Sequence, residues 1–230
     1  SKFDFIFSHL HDLSSYGFKK DKVIFLPLAF SARNITNKKN NLSNRKYDLF
    51  FSGILRNWNF PDTQQDIRLR IQKELFFTLF DIPIIKRLKH RKLNIYWKPF
   101  YKSRIKNKIS SLLHGSRLDD KNYFLKLQDS KAILHTASPL GIISTRVFES
   151  LGAQAIGLFS KDSNVNVLFN NKEHYVEFID INSFIKNLYD IKDTVNEKYY
   201  QKIALNGMNE VCKNHTWESR VKHFIKIIKN

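Results

Sequence analysis

A strand, a loop and the start of a helix between residues 129 and 152 carry the side chains best suited to chemistry. The stretch reads DSKAILHTASPLGIISTRVFESLG, and its helical part opens on Ser144, Thr145 and Arg146. In a parallel α/β fold this order places free backbone N–H groups, two hydroxyls and a guanidinium at the carboxyl end of a strand, where a diphosphate binds well. Glu149 follows one turn along and can accept hydrogen bonds from the vicinal hydroxyls of a ribose.

The same side chains also fit a structural interpretation. Ser144 and Thr145 are ordinary residues for a helix start. Arg146 and Glu149 are spaced as an i, i+3 surface pair, which contributes only about 0.2–0.5 kcal/mol. Residue chemistry alone leaves both interpretations open.

The elements around this stretch alternate between short apolar runs and longer segments of helical period. The chain has 230 residues, of which 42% are hydrophobic, so it can bury a full core. Alternation of this kind predicts an α/β fold with a Rossmann-like parallel sheet and helices on both faces. The predicted strands are 3–7, 23–28, 47–52, 93–97, 132–136, 155–159 and 175–179, and the longest predicted helices are 62–80 and 196–212.

Several motifs, in order along the chain, resemble the C-terminal domain of GT-B glycosyltransferases, particularly the group 1 and CgeB-like proteins. The segment 145–155, TRVFESLGAQA, is similar to the family's "R-x-F-E-A-L-A-x-G" helix and following strand. Four further segments are similar to family motifs: FLPLA at 25–29, KYDLFFSG at 46–53, YFLKLQDSKA at 123–132 and HTWESR at 215–220.

The resemblance implies three regions. Residues 1–45 would be the end of an N-terminal acceptor domain and a linker, since 32–45 is polar and rich in Asn. Residues 46–215 would form the nucleotide-sugar-binding domain, and 216–230 a C-terminal helix. A complete GT-B enzyme has a full N-terminal domain before this point, so we expect that the chain omits it or is a reduced version of the fold.

The resemblance also implies roles for individual residues. Gly53 and Arg56 would lie in the first loop of the donor site. Thr145 and Arg146 would contact the diphosphate, and Glu149 would bind the ribose.

The chain departs from the family at one expected donor contact. Many retaining members have an E-x7-E pattern, and the position eight residues before Glu149 is Gly141. We therefore expect the donor sugar to be contacted by backbone amides of the loop from Ser138 to Ile143, which includes Gly141 and directly precedes Ser144.

A general base is suggested only by position. His9 and His11 follow the first predicted strand and would lie near the interdomain cleft, where a base could deprotonate an acceptor hydroxyl. A solvated loop histidine is the commoner case, and His135, within a strand, is expected to be packed in the core. No H-E-x-x-H spacing occurs among the eight histidines, so we expect neither a metal nor another cofactor.

The charge of the protein predicts an anionic partner. The net charge is +18, and the segment between Lys86 and Lys108 contains ten basic residues and no acidic one. This segment fits an anionic membrane surface, a nucleic-acid groove or simply a solvated face. Its aromatic residues are Tyr96, Trp97, Phe100 and Tyr101, of which Trp97 is expected to belong to the core.

Together these patterns predict a metal-independent glycosyltransferase. It would move a sugar from a nucleotide diphosphate sugar to a hydroxyl of a glycan or lipid-linked acceptor, in surface polysaccharide or glycoconjugate synthesis. The single cysteine, Cys212, favours a reducing compartment, so we expect a cytoplasmic, membrane-associated protein. The alternative is a basic nucleic-acid-binding α/β module without catalysis, and nucleic acid is the less expected partner because no RNA- or DNA-binding motif is present.

Overall fold

The structure is a computed structural model that describes residues 6–10, 13–14, 17–31, 41–55, 63–76, 90, 92–101, 120–138 and 141–229. Seven strands and six α-helices lie within these residues. The strands are β1 Ile6–Ser8, β2 Val23–Phe25, β3 Tyr47–Leu55, β4 Ile95–Tyr101, β5 Ser130–His135, β6 Ile156–Ser160 and β7 Val176–Phe178. The helices are α1 Thr63–Leu75, α2 Asp120–Gln128, α3 Thr145–Gly152, α4 Ile181–Lys192, α5 Glu197–Asn214 and α6 Trp217–Lys229.

A five-stranded parallel sheet forms the centre of the fold. Its strand order is β4-β3-β5-β6-β7, so the chain first moves outward from β3 to β4 and then returns to the other side of β3. The two remaining strands, β1 and β2, form a separate parallel pair. The prediction of a parallel α/β sheet with helices on both faces is confirmed.

The two faces of the sheet bury separate apolar clusters. Side chains at alternate positions of a strand point to opposite faces, so Leu49 and Phe51 pack with α1 and α4, whereas Phe50 packs with α2 and α3. Helices α1 and α3 therefore lie on opposite faces of the sheet. This arrangement decides from which direction their polar side chains can reach the strand ends.

The segment before β3 differs from the predicted linker. Leu42–Asn44 forms a short 3-10 turn, and Leu42 is buried. The guanidinium of Arg45 is also buried and donates hydrogen bonds to the backbone oxygens of Ser130 and Gln154, at 2.8 Å each. Strand β3 is also longer than predicted, since it continues past Gly53 to Leu55.

The C-terminal HTWESR motif ties the first segment of the chain to the rest of the fold. Phe30 forms a bridge with Thr216, and Arg220 Nε donates to the Pro27 oxygen at 3.0 Å. The backbone N–H of Ser219 donates to Thr216 Oγ1 at 3.2 Å, so Thr216 caps α6. The contacts of Thr216 with Phe30 and of Arg220 with Pro27 fix the start of α6 beside the β1–β2 pair, where Phe224 packs on Phe7.

Candidate functional site

The candidate site lies where β3 and β5 separate at their carboxyl ends. The two strands pair only as far as Phe50 and Ile133. Beyond these residues β3 pairs with β4 alone, and β5 pairs with β6 as far as His135 and Phe159. Because the chain turns to opposite edges of the sheet from these two strands, their carboxyl ends form the crevice position of the sheet, which is where open parallel sheets bind their ligands.

Arg146 enters this crevice from α3. Its Nη1 donates a hydrogen bond to the backbone oxygen of Ser52, near the end of β3. That bond uses one of the five N–H donors of the guanidinium. A Cβ atom on Gly53, the next residue, would lie 3.3 Å from the same Nη1, so the absence of a side chain there leaves room for Arg146. The sequence prediction placed both residues in the donor site, and the structure brings them together.

Arg68, which the sequence analysis did not select, enters the crevice from the other face. It lies on α1, and its Nε donates to Thr136 Oγ1. Its Nη2 donates to the backbone oxygens of Thr136 and Ala137, at 3.3 and 3.0 Å. A signal was present in the sequence: Arg68 and Gln72 are polar residues four apart, beside the apolar positions that α1 buries.

The two guanidiniums form a cationic cluster with one neutral histidine. Burial and the charge of Arg146 lower the pKa of Arg68 to about 10, with Asp162 opposing the shift, so Arg68 stays cationic at neutral pH. Burial, followed by the charges of Arg68 and Arg146, lowers the pKa of His135 to about 3. The crevice therefore holds two positive charges, and it attracts anions.

Glu149 lies on the same helix as Arg146 and is held by a partly buried tyrosine. Tyr123 Oη, on α2, donates to Glu149 Oε2 at 3.2 Å. Burial and the Glu149 carboxylate raise the pKa of Tyr123, so its hydroxyl remains a donor across the physiological range. The ring of Tyr123 packs edge-on against Phe50, with 5.8 Å between ring centroids. This hydrogen bond holds the Glu149 carboxylate between α2 and α3, one turn along α3 from Arg146.

The loop between β5 and α3 contributes a glycine in a left-handed conformation and one buried hydroxyl to the candidate site. Gly141 has a φ of +68°, a left-handed value that favours glycine, and its N–H donates to Ser138 O at 2.9 Å. The amide of Asn164 donates to Gly141 O at 3.3 Å. Ser144 occupies the N-cap position of α3, but its side chain makes no capping bond, and within the described residues its buried Oγ has no partner.

Two predicted site residues lie outside the described residues, and one lies in a different sheet. Arg56 and His11 are not described. His9 is exposed at the end of β1, and its Nδ1 hydrogen-bonds with the Leu26 oxygen at 2.7 Å. It directly follows β1, which pairs with β2 outside the five-stranded sheet.

The basic segment between Lys86 and Lys108 is described only at 90 and 92–101. Within that part, Tyr96 stacks on Phe50 with 5.3 Å between centroids, and Trp97 is buried with its Nε1 donating to Gln72 Oε1 at 3.0 Å. The core position of Trp97 is confirmed. Trp97 is therefore not exposed for stacking on a nucleic-acid base, and Phe50 covers one face of the Tyr96 ring.

The described residues show neither a membrane-spanning helix nor a cluster of metal ligands. None of the described helices has the length and apolar character needed to span a bilayer. Where side chains are described, no three His, Cys, Asp or Glu residues group as metal ligands do.

Comparison with solved structures gives the fold. TarM from S. aureus, in complex with fondaparinux, alpha-GlcNAc-glycerol and UDP, matches 100% of this chain with a TM-score of 0.62 and 8% identity. HepE from Anabaena, in complex with UDP and glucose, matches 98% of it with a TM-score of 0.62 and 9% identity. The C-terminal domain of the glycosyl transferase group 1 protein LpcC from Francisella tularensis matches 82%, with a TM-score of 0.51 and 14% identity.

The matched shares show which part of these proteins the chain corresponds to. It covers 44% of TarM and 63% of HepE but 99% of the LpcC C-terminal domain. No curated protein matches the sequence. The model of a glycosyl transferase-like family, however, matches residues 82–226, more than half of the chain. The chain therefore belongs to this glycosyl transferase-like family and has the fold of a GT-B C-terminal domain.

Proposed function

We propose that the chain binds a nucleotide diphosphate sugar in the crevice between β3 and β5 and takes part in transferring the sugar to an acceptor hydroxyl. One observation carries the proposal: Arg68 and Arg146 reach the same crevice from opposite faces of the sheet. Each is anchored on backbone oxygens at a strand end. The pair supports the binding of a ligand group with two negative charges, and a diphosphate is such a group.

The same cations suit the chemistry of sugar transfer. When the bond between the sugar and the diphosphate breaks, negative charge grows on the leaving phosphate. Guanidiniums and the N-terminus of α3 stabilise that charge where it develops. Both cations are already held in place by the protein, so little reorganisation is needed. We propose on this basis that the transfer needs no metal ion.

Glu149 is proposed to bind the ribose of the nucleotide. The two oxygens of a carboxylate have about four acceptor sites, so Glu149 can accept hydrogen bonds from a pair of vicinal hydroxyls as well as from Tyr123. Tyr123 holds one oxygen of Glu149 at 3.2 Å, which restrains the direction in which the carboxylate faces. We further propose that the loop from Ser138 to Ser144 contacts the donor sugar, since Ser144 Oγ is buried without a partner among the described residues.

The proposal extends to the nucleotide, the acceptor, the general base and the location of the protein. TarM and HepE were both solved with UDP, which makes UDP the first nucleotide to test here. From the sequence we propose a glycan or lipid-linked acceptor and a role for His9 or His11 as the general base. We also propose a cytoplasmic location beside an anionic membrane. Nucleic-acid binding gains no support from the described part of the basic segment, because Tyr96 and Trp97 are engaged within the fold.

Calorimetric titration with UDP, GDP and ADP tests the proposal. We expect one of the three to bind the wild-type chain, and Arg146→Ala and Glu149→Ala each to weaken that binding about tenfold or more, the value expected for a lost hydrogen bond to a charged group. Arg70→Ala is the matched control, because Arg70 is exposed on α1. If none of the nucleotides binds, or if the site variants bind as Arg70→Ala does, the proposal is wrong.

A further inference from the structure

His135 occupies a position in the crevice that its burial alone does not explain. It is the last residue of β5 and is only 8% exposed. Its ring packs edge-on against Phe159, with 5.8 Å between centroids. Its Nε2 is buried, and no described residue provides it with a hydrogen-bond partner. A buried polar atom without a partner costs stability, so its presence calls for a reason.

The surroundings of His135 indicate what the missing partner is. Arg68 and Arg146 are the two charged groups that act on the ring, and both oppose its protonation. With a pKa of about 3 the imidazole is neutral at physiological pH, so it carries one N–H and adds no charge to the crevice. The ligand atoms that two guanidiniums attract are anionic oxygens, which accept hydrogen bonds and do not donate them.

We propose that His135 is a ligand contact of the site, with Nε2–H donating a hydrogen bond to a phosphoryl oxygen of the bound diphosphate. This inference rests on the proposed function and adds to it an uncharged donor supplied by the central strand. Two guanidiniums repel each other, and a third cation would increase that repulsion. A neutral N–H adds a hydrogen bond without that cost. A bound phosphoryl oxygen would thus give Nε2 the partner that the described residues do not provide.

The proposal predicts opposite effects on stability and on binding. In His135→Leu the unpartnered nitrogen is replaced by an apolar side chain of similar size, so the melting temperature without ligand should stay the same or rise. Affinity for the best of UDP, GDP and ADP should fall about tenfold or more, because a hydrogen bond to a charged group is lost. Affinity for the matching nucleoside should change less than about twofold, because the nucleoside has no phosphate and loses no contact with His135.

His135→Gln is the matched control, because its amide N–H extends to about the position of Nε2. It should bind the nucleotide within about threefold of wild type, since a donor is retained. Inorganic pyrophosphate, titrated into wild type and both variants, reports the phosphate contact without the base. On wild-type protein labelled with [15N]histidine, the Nε2 resonance of His135 should shift when pyrophosphate is added; it is assigned by its loss in His135→Gln.

The outcomes separate this inference from the proposed function. If wild type binds neither the nucleotides nor pyrophosphate, both fail. If wild type binds and His135→Leu binds equally well, or if the 15N signal of His135 does not move, only the role of His135 is wrong. A His135→Leu protein with a lower melting temperature and equal losses for nucleotide and nucleoside would make His135 a packing residue.

Discussion

Replacing Arg68 by lysine separates the charge of this residue from its hydrogen bonds. The ammonium group of Lys keeps the positive charge but lacks the planar fork of Arg. In the structure the fork reaches three acceptors: Thr136 Oγ1 and the backbone oxygens of Thr136 and Ala137. A lysine at this position can keep one of these bonds. Both acceptor residues are buried, so water replaces the others poorly.

The expected size of the effect follows from those bonds. Two lost hydrogen bonds at about 1 kcal/mol each destabilise the fold by about 2 kcal/mol. For a chain of this length, this lowers the melting temperature by about 4–8 °C. Nucleotide affinity should fall about tenfold, because the remaining charge is no longer held against the end of β5.

Arg70→Lys provides the control for this experiment. It makes the same substitution two residues along the same helix, at an exposed position, where changes stay within about 0.5 kcal/mol. Differential scanning fluorimetry and calorimetric titration with the best nucleotide measure both quantities on both variants. If Arg68→Lys behaves as Arg70→Lys does in melting and in binding, the anchored-cation argument is refuted.

Three further predictions concern single side chains. Tyr123→Phe removes the donor to Glu149 and should reduce the preference for the ribonucleotide over its 2′-deoxy analogue, measured as a ratio of Kd values. Gly53→Ala places a methyl group against Arg146 and a neighbouring ring and should cost about 1–3 kcal/mol in urea unfolding, with weaker nucleotide binding. Asp48→Asn should cost about 3 kcal/mol at pH 7, and the difference from wild type should begin to shrink as the pH falls below about 4 and keep shrinking as Asp48 becomes protonated, measured by unfolding at a series of pH values.

The pH dependence at Asp48 follows from its contacts. Burial raises the pKa of this carboxyl, but the Asn94 N–H together with Lys131 and Lys192, each at 3.0 Å, outweighs that effect and lowers the pKa overall. A carboxyl whose pKa is lower in the folded state stabilises the fold above its unfolded pKa and loses that contribution as it becomes protonated. A constant difference between wild type and Asp48→Asn from pH 7 to pH 3 would contradict this reasoning.

Sequence patterns predicted the parts of the fold that depend on local periodicity. The apolar runs gave the strands of the parallel sheet, and the motif around Arg146 and Glu149 gave one side of the crevice. Local patterns could not give contacts between distant residues. The hydrogen bonds from Arg68 to Thr136 join residues that are 68 positions apart in the sequence. Those from Arg45 to Ser130 and Gln154 join residues that are 85 and 109 positions apart. Arg45 was therefore predicted in a linker, although it is buried in the fold.

His135 shows a different limit of sequence-based inference. Its place in an apolar strand correctly predicted burial, and for most buried histidines burial is the whole explanation. The distinguishing feature is that Nε2 lacks a partner while two guanidiniums lie near the ring. That feature depends on helices on both faces of the sheet and becomes visible only once the topology is known.

The topology also explains why the cations meet at this place. The connection from β3 runs through α1 to β4 at one edge, and the connection from β5 runs through α3 to β6 toward the other. Connections of this kind are right-handed, so opposite directions of travel place the two helices on opposite faces. Side chains from both helices can reach the strand ends only between β3 and β5. Arg68 and Arg146 can therefore face a ligand from two sides, which a single loop or helix cannot achieve.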